Sequence, residues 1–114
     1  MKTVVITGAS TGIGRSAAEY LAARGWQVFA GVRKEKDAAV LAEADGRIKP
    51  ILLDVTDPDQ VNAAVDTVRS ALDGHKLAGL VNNAGIANMG PLALQPLDQF
   101  KSHFDVSVFG LLRA

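Results

Sequence analysis

Apolar positions along the chain fall into short runs separated by polar or glycine-rich turns. Lys2 to Thr7 carries the β-branched run Val4-Val5-Ile6 and is closed by Gly8, which predicts a buried strand. Ile13, Ala17, Tyr20, Leu21 and Arg24 then recur at helical spacing until Gly25 ends the segment. "QVFAGV" over Gln27 to Val32 predicts a second strand, Asp37 to Ala44 a short helix, and "IKPILLDV" over Ile48 to Val55 a third strand. Pro50 assigns that third strand to a sheet edge, because proline has no N–H to donate to a ladder. Asp57-Pro58 reads as a capped helix start. Val61, Ala64, Val65, Val68 and Leu72 line one face behind it. Leu77 to Val81 predicts a fourth strand. A last helix is expected from Leu97 to the final residue, with Phe100, Phe104, Val108 and Leu111 on one face.

Apolar strands alternating with amphipathic helices predict an α/β fold: one domain over residues 1–114, with a doubly wound parallel sheet between helical layers. Ligands of such sheets sit beyond the carboxyl ends of the strands. Thr7-Gly8, Val32-Arg33, Asp54-Val55 and the stretch from Asn82 to Gly85 all fall at those ends.

Composition narrows the classes. Apolar residues make up 48% of the chain, enough for a sizeable core. Lys plus Arg and Asp plus Glu stand at 12 each, a balance that excludes a nucleic-acid platform built on basic excess. There are no cysteines, so disulfides and Cys-based zinc sites are ruled out. His75 and His103 have no partner at metal-ligand spacing, so no metal site is expected. Gly8 cuts the first apolar run short of the roughly 7–15 residues of a signal peptide. No run approaches the roughly 20 residues of a membrane span, so a soluble, cytoplasmic protein is expected.

The stretch "TGASTGIG" at residues 7–14 buries almost nothing and places small residues between a strand and a helix. Such a turn lets backbone N–H groups approach an anion, and the helix N-terminus adds positive potential. Its spacing, Gly8-x-x-x-Gly12-x-Gly14, is not a P-loop, since no Lys-Ser/Thr follows in register. Taken alone, the turn fits either a phosphate cradle or a tight strand-to-helix connection.

With "NNAG" at 82–85 and Asp54-Val55 after the third strand, the turn resembles the signatures of the short-chain dehydrogenase/reductase family. The resemblance spans the whole chain but only the first half of a family member. It implies a Rossmann-like sheet of strand order 3-2-1-4 and a nicotinamide dinucleotide as cofactor. Gly8, Gly12, Ile13 and Gly14 would shape the pyrophosphate turn, and Ser10 and Thr11 would offer hydroxyls beside it. Asp54 would accept from the adenine amino group while Val55 supplies its backbone N–H. Asn83, Ala84 and Gly85 would lie along the ribose.

An acidic residue at the end of the second strand would select NAD by binding the ribose 2′-hydroxyl. That place falls on Val32, followed by Arg33 and Lys34, which favours NADP over NAD. Arg33 is the candidate 2′-phosphate partner; Arg15 either assists it or faces solvent.

The activity implied by the resemblance is hydride transfer between the nicotinamide and a carbonyl or alcohol carbon. In the family a Tyr-x-x-x-Lys pair moves the proton and a Ser orients the substrate oxygen; a phenol of pKa roughly 10 needs a nearby cation to act as a base at neutral pH. The single tyrosine here, Tyr20, has Arg24 four residues on and lies on the first helix, which reads as packing. The catalytic Ser, Tyr and Lys would lie beyond residue 114, so the chain is expected to be inactive alone. "FDVSVFGLLR" matches the family's fifth-helix segment with Ser107 at the place of a helical Asn. A hydroxyl there lacks an amide's paired donor and acceptor.

Asn88, Met89 and Gly90 resemble a stretch flanking the substrate pocket and read equally as a plain loop. "GVRK" and "FDVSVFGLLR" resemble branches acting on retinols and hydroxysteroids, which implies a small apolar alcohol or ketone substrate. The family's fourth strand is central, so an edge at Val81 and an unpartnered final helix predict a homo-oligomer. A non-catalytic NADP(H)-binding module and a self-associating remnant stand as alternatives to the oxidoreductase.

Overall fold

A computed structural model describes residues 1–85 and 97–113. Asn88, Met89 and Gly90 lie outside the described residues, as do the side chains of Phe100, His103 and Leu111. Strands and helices alternate in chain order: β1 (Thr3–Ile6), α1 (Gly12–Ala23), β2 (Gln27–Val32), α2 (Glu35–Ala44), β3 (Ile48–Leu52), α3 (Pro58–Leu72) and β4 (Gly79–Val81). α4 (Leu97–Phe104), a π-helical segment (Asp105–Gly110) and α5 (Leu111–Arg113) follow.

The sheet is parallel throughout, in the order β3-β2-β1-β4. Val5 stands opposite Phe29 on one side and Leu80 on the other. Pro50 pairs with Ala30 on the β3 edge, where a missing N–H leaves no inner ladder bond unmade. β3 ends at Leu52 rather than Val55, and β4 starts at Gly79 rather than Leu77.

Period-two alternation splits the strands between two cores. Val4, Ile6, Val28, Ala30 and Val32 face α1 and α2, where Ala18, Ala22 and Leu41 complete a sealed cluster. Val5 and Phe29 face α3 and meet Val68. Asp57 caps α3 as expected, its carboxylate accepting from the N–H groups of Asp59 at 3.0 Å and Gln60 at 3.4 Å, with Pro58 as the first helical residue.

Two helical faces differ from the periodic expectation. α1 does not bury Ile13 or Tyr20, which are 82% and 56% exposed. It buries Gly14, Ala18 and Ala22, with Ala17 and Leu21 beside them. Small residues pack against Val4 and Val28 in one cluster, while Ile13 and Tyr20 are turned outward. The final helix is not one continuous α-helix. Its π-winding over Asp105–Gly110 shifts the facing register, so that Val106 packs inward and Gly110 is buried while Val108 is 42% exposed. The expected stripe joining Phe104 to Val108 therefore does not face the core. Among the described residues, no helix is long and apolar enough to cross a membrane.

Candidate functional site

The carboxyl ends of all four strands open onto one cleft. Gly8, Ser10, Thr11, Arg33, Asp54, Val55, Asn83, Ala84 and Gly85 line it, together with Val32, Leu53 and Val106. The four strand ends singled out in the sequence thus converge, at the point where chain order reverses between β1 and β4.

A buried hydroxyl ties the first turn to the fourth strand. Thr7, 1% exposed, donates through Oγ1 to the Val81 carbonyl at 3.4 Å and accepts from the N–H groups of Asn83 and Ala84, each at 3.0 Å. Its own N–H donates to the same carbonyl at 3.0 Å. The Asn83 Nδ2 donates to the Gly8 carbonyl at 2.9 Å, so this amide braces the turn. Gly8 has φ 63°, and a Cβ there would lie 2.7 Å from the Ala84 Cα. A Cβ on Gly14 would collide with the Asn83 amide and the Gly8 carbonyl. Glycine is therefore needed at both positions for backbone to pass this close to backbone.

The N-terminus of α1 is open. Thr11 occupies the cap position without a side-chain capping bond, and the first turn carries no acidic residue. Unused N–H groups at a helix start offer an anion site, and the glycine turn keeps side chains away from it. Gly12, Ile13 and Gly14 belong to that helix start and do not line the cleft itself.

On the other wall, Asp54 Oδ1 accepts from the Thr56 hydroxyl at 2.6 Å and the Thr56 N–H at 3.0 Å. The Asp54 N–H donates to Gln60 Oε1 at 2.8 Å. Both carboxylate bonds fall on one oxygen, so the other retains its capacity to accept from a ligand amine. Val32 is buried at the end of β2, and Arg33 next to it is exposed and makes no ion pair among the described residues. Arg15 is engaged on the surface of α1, its Nε pairing with Glu19 Oε1 at 3.0 Å. Ser107 stands behind Gly85, where its Oγ would be 3.7 Å from a Cβ.

The fit to a dinucleotide is therefore physical: an uncapped helix start, a glycine turn packed backbone to backbone against Asn83 and Ala84, and a carboxylate fixed on one side. Among the described residues, no group of three or more His, Asp or Glu is placed to hold a metal ion. A larger concavity of about 400 Å³ lies away from the cleft, between α3 and the sheet. Val5, Ile51, Val65, Leu72, Leu77 and Leu80 make it almost wholly apolar, which suits packing rather than chemistry.

A profile described as short chain dehydrogenase matches residues 2–114. The chain belongs to the short-chain dehydrogenase/reductase family. It is 36% identical over 110 residues to an NADPH-dependent 3-dehydrocapnine reductase of Ornithobacterium rhinotracheale, covering 96% of this chain and 39% of that protein. It is 39% identical over 119 residues to the mitochondrial D-beta-hydroxybutyrate dehydrogenase of Rattus norvegicus, covering 98% and 35%. Among solved structures, a 3-ketoacyl-(acyl-carrier-protein) reductase from Brucella melitensis complexed with NADH superposes with a TM-score of 0.90 at 30% identity, over 98% of this chain and 46% of that one. The chain thus spans less than half the length of these short-chain dehydrogenase relatives.

Thr7 is the site residue that periodicity alone passed over, since it reads as the end of an apolar strand. Its signal was a hydroxyl directly before Gly8, at a depth where an unpaired polar group would be costly. Val106 was hidden by the π-winding, which has no counterpart in the spacing of apolar residues.

Proposed function

We propose that these 114 residues form the cofactor-binding part of an oxidoreductase that transfers hydride between NADP(H) and a small apolar alcohol or ketone. The convergence of the glycine turn, Asp54-Val55 and Asn83 to Gly85 on one cleft carries the reading. The bound nicotinamide would supply the hydride. This chain's residues bind and orient: the α1 N–H groups take the pyrophosphate, Ser10 and Thr11 flank it, Asp54 and Val55 hold the adenine, and Ala84 and Gly85 leave room for the ribose. The preference for NADP rests on Val32 standing where an NAD-selecting carboxylate would otherwise be, with Arg33 beside it exposed and making no ion pair among the described residues.

Proton transfer lies outside these residues in this reading. Tyr20 sits on the outer face of α1 with the Arg24 guanidinium 3.5 Å from its ring centre, away from the cleft. The 114 residues therefore bind cofactor without turnover. A second proposal, self-association, is favoured by exposed Leu80 and Val81 on the β4 edge and exposed Phe104, Phe109 and Leu112 on the final helix.

Calorimetric titration with NADPH and NADH tests the first reading. Trp26 is not a suitable reporter, since it precedes β2 at the opposite end of the sheet, with the Lys2 ammonium 5.4 Å from its ring. NADPH is expected to bind more tightly, with Arg33→Ala weakening NADPH about tenfold and leaving NADH unchanged. Binding of NADH as tightly as NADPH would overturn the Arg33 assignment, and binding of neither would overturn the reading.

A further inference from the structure

Val55 is gripped by the final helical segment from two directions. A Cβ on Gly110 would collide with Val55 Cγ2, so the absence of a side chain at 110 lets the π-helical segment lie directly on Val55. The Val55 carbonyl accepts from Arg113 Nη1 at 3.2 Å. The same nitrogen reaches the Asp105 carbonyl at 3.4 Å, while Nη2 pairs with Asp105 Oδ1 at 2.9 Å. Arg113 therefore reaches back over the whole π-helical segment, as helical side chains lean toward the N-terminus. The wider winding shortens the distance it must cover.

These bonds meet the adenine wall at a single peptide group. The carbonyl between Val55 and Thr56 is held by Arg113, and the N–H of the same planar unit donates to Asp54 Oδ1 at 3.0 Å. A tilt of that peptide moves the Thr56 N–H and so turns the Asp54 carboxylate. Packing does not explain the arginine, whose side chain remains 34% exposed. The ion pair with Asp105 is itself near the surface, where such pairs contribute little stability. Its value lies in presenting a rigid fork of donors at one angle.

We infer that Arg113, oriented by Asp105, is a positioning residue for the adenine end of the dinucleotide site, acting through the Val55–Thr56 peptide on Asp54. This rests on the cofactor reading given above. It assigns to the final helix a part in cofactor affinity, although neither Arg113 nor Asp105 lines the cleft.

Adenosine 2′,5′-bisphosphate isolates the adenine half and is titrated by calorimetry beside NADPH, while amide hydrogen exchange at Thr56 is followed in the ligand-free protein. Arg113→Ala is expected to weaken both ligands by the same factor, about tenfold for loss of a charged donor, and to speed Thr56 exchange. Asp105→Asn keeps the guanidinium and loosens its aim, so a smaller loss in the same direction is expected. The thermal midpoint of each ligand-free variant serves as the control and should move little. Unchanged affinity for the bisphosphate in a folded Arg113→Ala variant, or unchanged Thr56 exchange, overturns the inference. Should Arg113→Ala not fold, Asp105→Asn decides by the same two readouts. If the unaltered protein binds neither ligand, the cofactor reading falls and the inference with it; if it binds and the variants match it, the inference alone falls.

Discussion

On one side of the sheet, α1 and α2 seal Val4, Ile6, Val28, Ala30 and Val32 into a continuous core. On the other, α3 covers Val5 and Phe29 but leaves a groove of about 400 Å³ beside β4, with Val65, Leu77 and Leu80 exposed along it. Both faces are made from the same β-branched strands. Apolar periodicity specifies which residues want cover, whereas where the helices lie along a face decides which obtain it.

The largest expected effect separates the two faces directly. Ile6→Ala empties a site that is fully buried on the sealed face and should cost about 2–5 kcal/mol by denaturant unfolding. Leu80→Ala on the open side removes a side chain that is already 42% exposed and should cost less than about 1 kcal/mol. Equal costs would mean that the groove is closed in solution, and the contrast between the faces would be lost.

The next effect lies on the seam between β1 and β4. Thr7→Val keeps the side-chain shape and strips the hydroxyl from the Asn83 and Ala84 N–H groups. The Asn83 N–H keeps the Val81 carbonyl at 3.1 Å, so the Ala84 N–H is the donor left unpaired. That costs about 1–3 kcal/mol, so the loss should exceed that of Leu80→Ala though both act at β4. Calorimetry should also show weaker NADPH binding, because Asn83 braces Gly8. A Thr7→Val variant as stable as the parent would show that water replaces the hydroxyl.

The sealed side and the strand ends were legible in the sequence for physical reasons. β-branched runs, the Asp57-Pro58 cap and Pro50 at an edge all act locally, and local rules are written in neighbouring residues. The cleft was legible because glycine and amide residues at strand ends have few other uses. Ile13 misled, since α1 packs by what it lacks: alanines at 18 and 22 allow closeness that no hydrophobic spacing announces. The π-winding was equally silent, because one shift in hydrogen-bond register changes the facing residues without changing their identity. The Asp105–Arg113 contact depends on that winding and was invisible with it.

The smallest expected effect is the sharpest check on the open face. Val65 sits on α3, one position off the buried line of Val61, Ala64 and Val68, and is 43% exposed toward the groove. Val65→Lys places a charge whose head can reach water while its stem lies along the apolar wall. Valine is the poorer helix former of the two, so the exchange recovers a little propensity on α3. The net change in unfolding free energy should stay within about 0.5 kcal/mol. Sedimentation should at the same time show less self-association, since a charge in the groove opposes burial against a second copy. A loss above about 1.5 kcal/mol would mean that Val65 is covered in the folded protein in solution, and that the two faces differ less than their exposure implies.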